Sequence, residues 1–340
     1  MEIASRYRRI VSFAAALCVL LTVVAHIEFS TPMKTLQIIH AYDITPYLST
    51  SAVSGVDSGD CTRLLTRCIL RTRDGNIISF ESKKFSFHKL LWPADSVSCD
   101  KSTCYSISSM GITDIQGKLV MPFNGVRRSL GKFWNFQCLE GSRCMGVSTD
   151  GCVLSANLHR RLFNLLCVIP LLGEYEDRTL SCDEQFESKC LLVSSRGTAI
   201  TFTSLLRVKR SADGVKIFGS KTGIPAFPFD LACPDVGCAL IVGDSAVFRT
   251  RSGWMKSNWR FETRVVEAAC VESLKCLAID QDGRVMSFSK SGQMVIGSTG
   301  KALKIQSGDT AVQSLKCSEQ GLCVAVSNSN VMLLFRVESR

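Results

Sequence analysis

The sequence predicts an all-β protein, and three features of the chain lead to this class. Pairs of cysteines recur along it at a regular interval. After the second cysteine of a pair there follow a short apolar strand, a turn centred on glycine and a second strand rich in β-branched and aromatic residues. No long segment outside the N-terminus shows the apolar spacing of an amphipathic helix.

Seven pairs of cysteines recur, with four to seven residues between the partners. The pairs are Cys61/Cys68, Cys99/Cys104, Cys138/Cys144, Cys182/Cys190, Cys233/Cys238, Cys270/Cys276 and Cys317/Cys323. Successive pairs begin 38, 39, 44, 51, 37 and 47 residues apart. Such an interval is typical of one four-stranded blade of a β-propeller. We therefore predict a seven-bladed β-propeller over residues 58–340, with a six-bladed one as the alternative.

The stretch after a pair has the pattern of a β-hairpin. Residues 68–80 and 276–288 both run from a cysteine through an apolar strand and an Asp-Gly turn into a second strand. Glycine adopts the positive φ that a tight hairpin turn requires. Asp74, Asp150 and Asp282 recur at the same position of this turn. We predict that these aspartates shape turns, because a catalytic acid would be needed at one site only.

The last repeat unit has no obvious outer strand of its own, since the chain stops at Arg340. Residues 26–57 precede the propeller, and the apolar stretch within residues 34–48 could supply that strand from the other end of the chain. A propeller closed in this way keeps its sheet edges short. A structure without contact between residues 34–48 and residues 317–337 would contradict this prediction.

Residues 1–25 have the features of a secretory signal peptide or signal anchor. Arg6, Arg8 and Arg9 precede an apolar run over residues 10–25, and cleavage after this run would leave His26 as the first residue. Without cleavage, the run would tether the protein as a type II membrane protein. Both alternatives place the rest of the chain in the secretory pathway, outside the cell or at its surface.

The number of cysteines predicts an oxidising compartment. Of the 17 cysteines, Cys18 lies in the N-terminal apolar run, which leaves sixteen for the propeller. Cys152 and Cys167 fall within one unit, where we expect an eighth disulfide across the outer hairpin. Zinc is the alternative, but zinc knuckles use Cys-x2-Cys spacing and the chain has only four histidines. We therefore predict no metal and no cofactor.

Two stretches resemble repeats of known propeller families. Residues 265–297, with an Asp-Gly turn and a closing Gly-Gln, resemble a repeat of the regulator-of-chromosome-condensation family. Residues 233–254 resemble the Asp-box (BNR) repeats of secreted proteins. Both resemblances imply a propeller, and one disulfide per blade is similar in architecture to the cysteine-rich propeller antigens of parasites. The Gly-His that follows the first strand in the first family is missing here, so we do not expect its guanine-nucleotide exchange.

Some Asp-box propellers are sialidases, so a sialidase-like glycan hydrolase is the enzymatic alternative. The chain lacks the Phe-Arg-Ile-Pro opening of those enzymes, and none of its four histidines lies in a nucleophile motif. No acidic cluster indicates the two carboxylates that an ordinary glycosidase uses. We predict a protein without enzymatic activity.

The densest aromatic and basic stretch provides four candidate binding residues: Trp254, Trp259, Arg251 and Arg260. Tryptophan and arginine are enriched in interface hot spots, although a tryptophan here could instead pack between blades. The formal charge of +10 favours an acidic partner. We predict a secreted or surface-displayed binding module for another protein or an anionic glycan. We expect no nucleic acid as partner, and membrane contact only through an uncleaved N-terminus; the alternative is a membrane-tethered lumenal scaffold or folding factor.

A candidate processing site lies in the longest interval between cysteine pairs. Arg207, Lys209 and Arg210 form an Arg-x-Lys-Arg sequence that a secretory-pathway protease could cut in an exposed loop. The alternative is a solvated basic loop that is never cut.

Overall fold

The computed structural model describes most of the chain after its first 34 residues. The described residues are 35–48, 55–62, 64–123, 130–139, 141–167, 178–182, 190–194, 199–202, 208–212, 231–232, 238–242, 244–250, 253–272, 275–295, 297–298, 301–302, 312–317, 321–327 and 330–338. The predicted signal peptide or anchor at residues 1–25 lies outside them. No helix within the described ranges has the length and apolar character needed to cross a bilayer.

The described residues form seven four-stranded antiparallel sheets and one two-stranded hairpin. The described part begins with β1 (Thr35–Asp43) and a 3-10 helix (Thr45–Tyr47). Sheet 1 contains β2 (Val56–Cys61), β3 (Arg67–Thr72), β4 (Ile77–Glu81) and β5 (Lys84–His88). Sheet 2 contains β6 (Ser96–Cys99), β7 (Cys104–Ser108), β8 (Gly111–Asp114) and β9 (Leu119–Pro122). Sheet 3 contains β10 (Phe133–Leu139), β11 (Arg143–Ser148), β12 (Cys152–Asn157) and β13 (Leu162–Cys167).

The remaining sheets repeat this order. Sheet 4 contains β14 (Arg178–Cys182), β15 (Cys190–Ser194), β16 (Ala199–Phe202) and β17 (Val208–Ala212). Sheet 5 contains β18 (Leu231–Ala232), β19 (Cys238–Val242), β20 (Ser245–Thr250) and β21 (Gly253–Lys256). Sheet 6 contains β22 (Val265–Glu272), β23 (Lys275–Asp280), β24 (Val285–Ser289) and β25 (Gly292–Val295), and the small hairpin follows with β26 (Gly297–Ser298) and β27 (Lys301–Ala302). Sheet 7 contains β28 (Val312–Cys317), β29 (Leu322–Ser327), β30 (Val331–Glu338) and β1.

Sheet 7 joins the two ends of the described chain. In sheets 1 to 6 each strand pairs with the next one in the sequence, whereas in sheet 7 the fourth strand is β1. It runs antiparallel to β30, from the pair Thr35 and Glu338 to the pair Asp43 and Val331. Ile44 then donates its backbone N–H to the carbonyl oxygen of Asn330 at 2.9 Å. This is the contact that the closing-strand prediction requires.

The first strands of the seven sheets contact one another in a closed cycle. In order, the cycle is β2, β6, β10, β14, β18, β22, β28 and again β2. Buried apolar side chains fill the spaces between neighbouring sheets. Ile69 and Ile77 of sheet 1, for example, pack with Val97 of sheet 2, and Leu277 of sheet 6 packs with Leu315 of sheet 7. Small sheets packed around a closed ring, with both faces of each sheet buried, are the arrangement of a β-propeller. The predicted all-β propeller is therefore confirmed.

The glycines of the three Asp-Gly turns adopt the positive φ that the sequence predicts. Gly75, Gly151 and Gly283 have φ of 80°, 75° and 74°. The carboxylate of Asp74 accepts hydrogen bonds from the Thr72 hydroxyl and, at 2.8 Å, from the amide nitrogen of Asn76. At this turn Asp74 therefore holds the shape, and Gly75 supplies the left-handed backbone. At the turn around Gly283 the shaping carboxylate is instead that of Asp280, which accepts the N–H groups of Asp282 and Arg284 at 3.0 and 2.8 Å.

Replacement of Gly75 is expected to strain both its turn and the neighbouring loop. A Cβ at this position would lie 2.5 Å from the Cβ of Pro93, which belongs to the connection to the next sheet. The matched control is Gly141→Ala, since Gly141 also has a positive φ of 77° but would meet nothing within 4 Å. We expect Gly75→Ala to lower the free energy of unfolding by about 3 kcal/mol and Gly141→Ala by about 1 kcal/mol. Equal losses in urea unfolding would contradict the contact with Pro93.

Candidate interaction surfaces

The alternating strands place the connections of every sheet on two opposite sides. The connections between first and second strands and between third and fourth strands lie on one side, which we call the disulfide side. The connections between second and third strands, and those leading to the next sheet, lie on the other, which we call the turn side. These two sides carry the chain's loops, so candidate binding residues must be assigned to one of them.

Six described disulfides join the first strand of a sheet to the second, at the disulfide side. They are Cys61–Cys68, Cys99–Cys104, Cys138–Cys144, Cys182–Cys190, Cys270–Cys276 and Cys317–Cys323. In each, the two cysteines are direct partners in the strand register. Cys152–Cys167 joins the outer strands β12 and β13 of sheet 3. Cys233 lies outside the described residues, so its predicted bond to Cys238 stays a prediction.

Polar side chains also connect the first strands of neighbouring sheets. The Asp60 Oδ2 atom accepts hydrogen bonds from the Cys99 N–H at 2.8 Å and from the Ser98 hydroxyl at 3.1 Å. Ser98 Oγ in turn accepts the N–H of Cys138 at 3.0 Å. Between sheets 7 and 1, the Ser314 hydroxyl donates to the Gly59 carbonyl oxygen at 3.1 Å. These bonds fix neighbouring first strands together and leave Asp60 in a structural role.

Asp60 gives the ring a predictable dependence on pH. Removal of its carboxyl group from water raises the pKa, although the hydrogen bond from Cys99 and the positive charge of Lys316 oppose the rise. A raised pKa means that the folded protein binds the proton more tightly than the unfolded chain. The stability contributed by this proton is therefore present at low pH and is lost as pH rises through the folded pKa.

We expect wild-type protein to lose stability relative to Asp60→Asn as pH rises from about 4 towards neutrality, because asparagine does not titrate. Urea unfolding at a series of pH values measures this difference. Asp43→Asn is the control, since hydrogen bonds from Thr45 lower the pKa of Asp43. The stability that Asp43 contributes is lost only as pH falls below about 4, so this variant should show no slope relative to wild type over the range in which Asp60→Asn does. The same slope for both variants would contradict the assignment.

A charged cluster lies on the turn side where the first strands of sheets 1 and 2 begin. Arg71 Nη1 donates to Asp57 Oδ2 at 2.7 Å, and Arg71 Nε donates to the Ala94 carbonyl oxygen at 2.8 Å. Burial raises the pKa of Asp57 and of Asp95, and the positive charge of Arg71 opposes both rises. Asp95 Oδ2 also accepts the N–H of Phe133 at 3.2 Å. The cluster thus links three successive sheets.

The structure separates the four candidate binding residues predicted from the sequence. The ring centroid of Trp259 lies 6.4 Å from Phe248 of sheet 5 and 6.0 Å from Phe288 of sheet 6, so Trp259 packs between neighbouring sheets. Arg260 is 74% exposed on the turn side, with Nη1 3.4 Å from Asp244 Oδ2. Trp254 occupies strand β21, opposite Arg249, but its side chain is not among those described. Arg251 lies outside the described residues.

The candidate processing site is not confined to a loop. Lys209 and Arg210 belong to β17, where Arg210 is the register partner of Thr201 in β16. These two residues therefore lie in a strand and not in a loop, and cleavage at this site stays a prediction. A protease would have to detach this outer strand before cutting it. Arg207 lies outside the described residues.

Sequence reasoning missed a set of exposed apolar side chains at the loops of sheets 1 to 3. Leu91 and Met110 lie on the turn side and are 80% and 47% exposed. Leu64 and Leu162 lie on the disulfide side and are 64% and 62% exposed. The one feature of the sequence that could have indicated an exposed apolar residue is Leu91 in the apolar sequence Leu-Leu-Trp-Pro. Such a sequence is equally consistent with side chains buried in the core.

Comparisons with known proteins support the architecture. No protein-family model and no curated protein matches the chain. The solved structure of BBS1N in complex with ARL6DN is similar, with a TM-score of 0.60 and 10% identity over 90% of this chain and 98% of that chain. The Pan2 WD40 domain of Neurospora crassa is similar with a TM-score of 0.60 and 8% identity, over 90% of this chain and 97% of that domain. The chain therefore shares the β-propeller fold with these proteins.

Proposed function

We propose that the protein is a secreted or cell-surface binding module in which seven blades form one rigid ring that holds another protein. The observation that carries this proposal is the position of the exposed apolar side chains. Leu64, Leu91 and Met110 are exposed in loops of a disulfide-braced scaffold, and Leu162 is exposed at the first residue of β13. Large apolar side chains held in ordered loops are what a protein partner buries at an interface.

The loops that carry Leu91 and Met110 are fixed by hydrogen bonds. Next to Leu91, the Leu90 N–H donates to Asn76 Oδ1 at 3.0 Å and the Ala94 N–H donates to the Gly75 carbonyl oxygen at 2.7 Å. Met110 receives the N–H of Phe123 at its carbonyl oxygen at 3.0 Å. A side chain presented by a fixed loop loses little conformational entropy when a partner binds, which favours affinity.

The disulfides support the proposed compartment. Structural disulfides persist in oxidising environments, and the described part of the chain contains them in sheets 1, 2, 3, 4, 6 and 7. A membrane-tethered scaffold is the alternative within the same compartment. Sequencing the N-terminus of the native protein distinguishes the two, because secretion predicts His26 as the first residue and a tether predicts an intact start.

Site-directed photocrosslinking tests the binding function. A benzophenone amino acid would replace Met110 on the turn side, Leu64 on the disulfide side, or Ser86 in the outer strand of sheet 1 as the matched exposed control. We expect a discrete protein adduct in the native host from Met110 or Leu64 and none from Ser86. Adducts from neither loop position, or equal adducts from all three, would contradict a loop-borne binding site.

One observation favours a glycan hydrolase as the second candidate. Asp57 and Asp95 both have raised pKa values and both interact with Arg71, which resembles a pair of carboxylates in an active site. Their bonds to Arg71 and Phe133 are, however, those of a structural link between sheets. A panel of fluorogenic glycosides tests the alternative: turnover that Asp95→Asn abolishes, in a variant that still folds, would establish it.

A further inference from the structure

The disulfide side of sheets 1 to 3 carries an excess of basic side chains. Its eight described basic residues are Arg67, Lys83, Lys84, Lys101, Lys118, Arg143, Arg160 and Arg161. Its four described acidic residues are Asp60, Glu81, Asp100 and Asp114. On the turn side of the same sheets, four described basic residues (Arg71, Arg73, Lys89 and Lys132) face four acidic ones (Asp57, Asp74, Asp95 and Asp150). The basic excess is thus specific to one side.

The acidic groups of this side are already engaged within the protein. Glu81 pairs with Arg67 at 2.7 Å. Asp100 is buried and accepts the N–H groups of Ser102 and Thr103 at 2.7 and 2.8 Å. Asp114 accepts the N–H groups of two turn residues at 3.0 and 2.9 Å, and Asp60 bonds to the neighbouring sheet as described above. They are therefore poorly placed to neutralise the exposed cations.

Five of the cations are exposed and form no ion pair with any residue of the described ranges. They are Lys83, Lys84, Lys118, Arg160 and Arg161. They lie in the turns between the third and fourth strands of three successive sheets or, for Lys84, at the first residue of the fourth strand. Lys83 and Arg161 have φ of 65° and 52°, a backbone region in which glycine or asparagine would be less costly. Long basic side chains thus stand at turn tips whose backbone does not favour them.

Hydrogen bonds on the disulfide side join the three sheets to one another. Arg67 Nη1 of sheet 1 donates to the Ser102 carbonyl oxygen of sheet 2 at 3.1 Å. The Tyr105 hydroxyl of sheet 2 lies 3.2 Å from the Ser142 hydroxyl of sheet 3. Within sheet 3, the Leu158 N–H donates to the Ser142 carbonyl oxygen at 2.9 Å, which ties the outer turn to the inner corner. The basic turns of the three sheets therefore belong to one braced scaffold and lie on the same side of it.

We propose that this basic surface binds an acidic polypeptide segment that also carries apolar side chains. The cations stand on separate turns, so they suit a ligand with repeated negative charge. Leu64 and Leu162 are exposed on the same side, and Leu162 directly follows Arg161. A sulfated glycan would use the cations but leave these leucines in water, whereas an acidic peptide with apolar residues can bury them. The proposal rests on the proposed binding function and assigns one partner chemistry to it.

Two labelled peptides, one repeating Glu-Glu-Leu and one repeating Glu-Glu-Gly, test the proposal in fluorescence anisotropy titrations with the full chain. We expect tighter binding of the leucine-containing peptide. Arg160→Glu with Arg161→Glu should weaken both peptides about tenfold, whereas Lys89→Glu with Lys132→Glu, an equal charge change on the turn side, should alter binding less than about twofold. Leu64→Ser with Leu162→Ser should remove only the preference for leucine.

Other outcomes of the same titrations would overturn the proposal. Equal loss in both charge variants would mean that net charge alone attracts the peptides. Binding of dextran sulfate through Arg160 and Arg161, without any preference for leucine, would assign the surface to an anionic glycan. The salt dependence of wild-type binding gives a readout that needs no variant, and an affinity unchanged by salt would also overturn the proposal. Photocrosslinks from Met110 alone would support the proposed binding function but would contradict a binding role for the basic surface.

Discussion

Reduction of the disulfides is expected to unfold the ring. Each disulfide between the first and second strands of a sheet closes a loop of only a few residues. The entropy that such a bond removes from the unfolded chain stabilises the fold by about 2 kcal/mol. Seven described bonds therefore contribute on the order of 10–15 kcal/mol, which equals the whole stability of a typical domain. Near-ultraviolet circular dichroism and urea unfolding, with and without a phosphine reductant, would show the loss of tertiary structure.

Sheet 3 provides a matched pair of single-bond variants. Cys138→Ser with Cys144→Ser removes a buried inner bond, and Cys152→Ser with Cys167→Ser removes the outer one. Chain entropy alone predicts the larger loss, about 3 kcal/mol against about 2 kcal/mol, for the outer bond because its loop is longer. Burial adds to both costs, because two hydroxyl groups would enter the core in the inner variant and one, at position 152, in the outer variant. An unchanged unfolding midpoint after full reduction would show that apolar packing alone maintains the fold.

The repeat and its disulfides could be predicted because both depend on short sequence distances. Cys99 and Cys104 are register partners across one tight corner, so their spacing alone brings them together. The Asp-Gly turns also depend only on neighbouring residues, since the turn itself requires the positive φ of Gly75, whatever surrounds the hairpin in the fold. The closing strand required one further step, namely that a sheet without a fourth strand must obtain it elsewhere in the chain.

The surfaces could not be predicted because they depend on residues from different sheets. The sequence suggests Trp259 as a binding residue, yet this half-buried side chain packs against Phe248 and Phe288 from two sheets. Arg260 reads as a free cation, yet it lies beside Asp244 from an earlier turn. The basic surface is likewise assembled from turns far apart in sequence, and it becomes visible only when the topology assigns them to one side.

Loss of β1 is expected to be the most damaging single change to the ring. Deletion of residues 35–43 from the full chain would leave β30 without its partner along eight register pairs. It would also remove Tyr42, whose ring lies 5.1 Å from Phe80 of sheet 1 and so connects the last sheet to the first. At a net value of about 0.5–1 kcal/mol for each lost hydrogen bond, with the ring contact added, we expect a loss on the order of 5 kcal/mol. Urea unfolding followed by intrinsic fluorescence measures it.

Two controls distinguish closure from a general effect of mutation in β1. Ile39 is 38% exposed and has no register partner, because the strand bulges between Ile38 and His40. Ile39→Ser should therefore cost less than about 0.5 kcal/mol. A separate peptide of residues 35–48 should restore stability to the deleted protein, since its contacts with β30 need no covalent link to sheet 1. An unchanged midpoint of urea unfolding after the deletion, or a peptide that fails to restore the midpoint, would contradict the prediction. The other strands would then close the ring without β1.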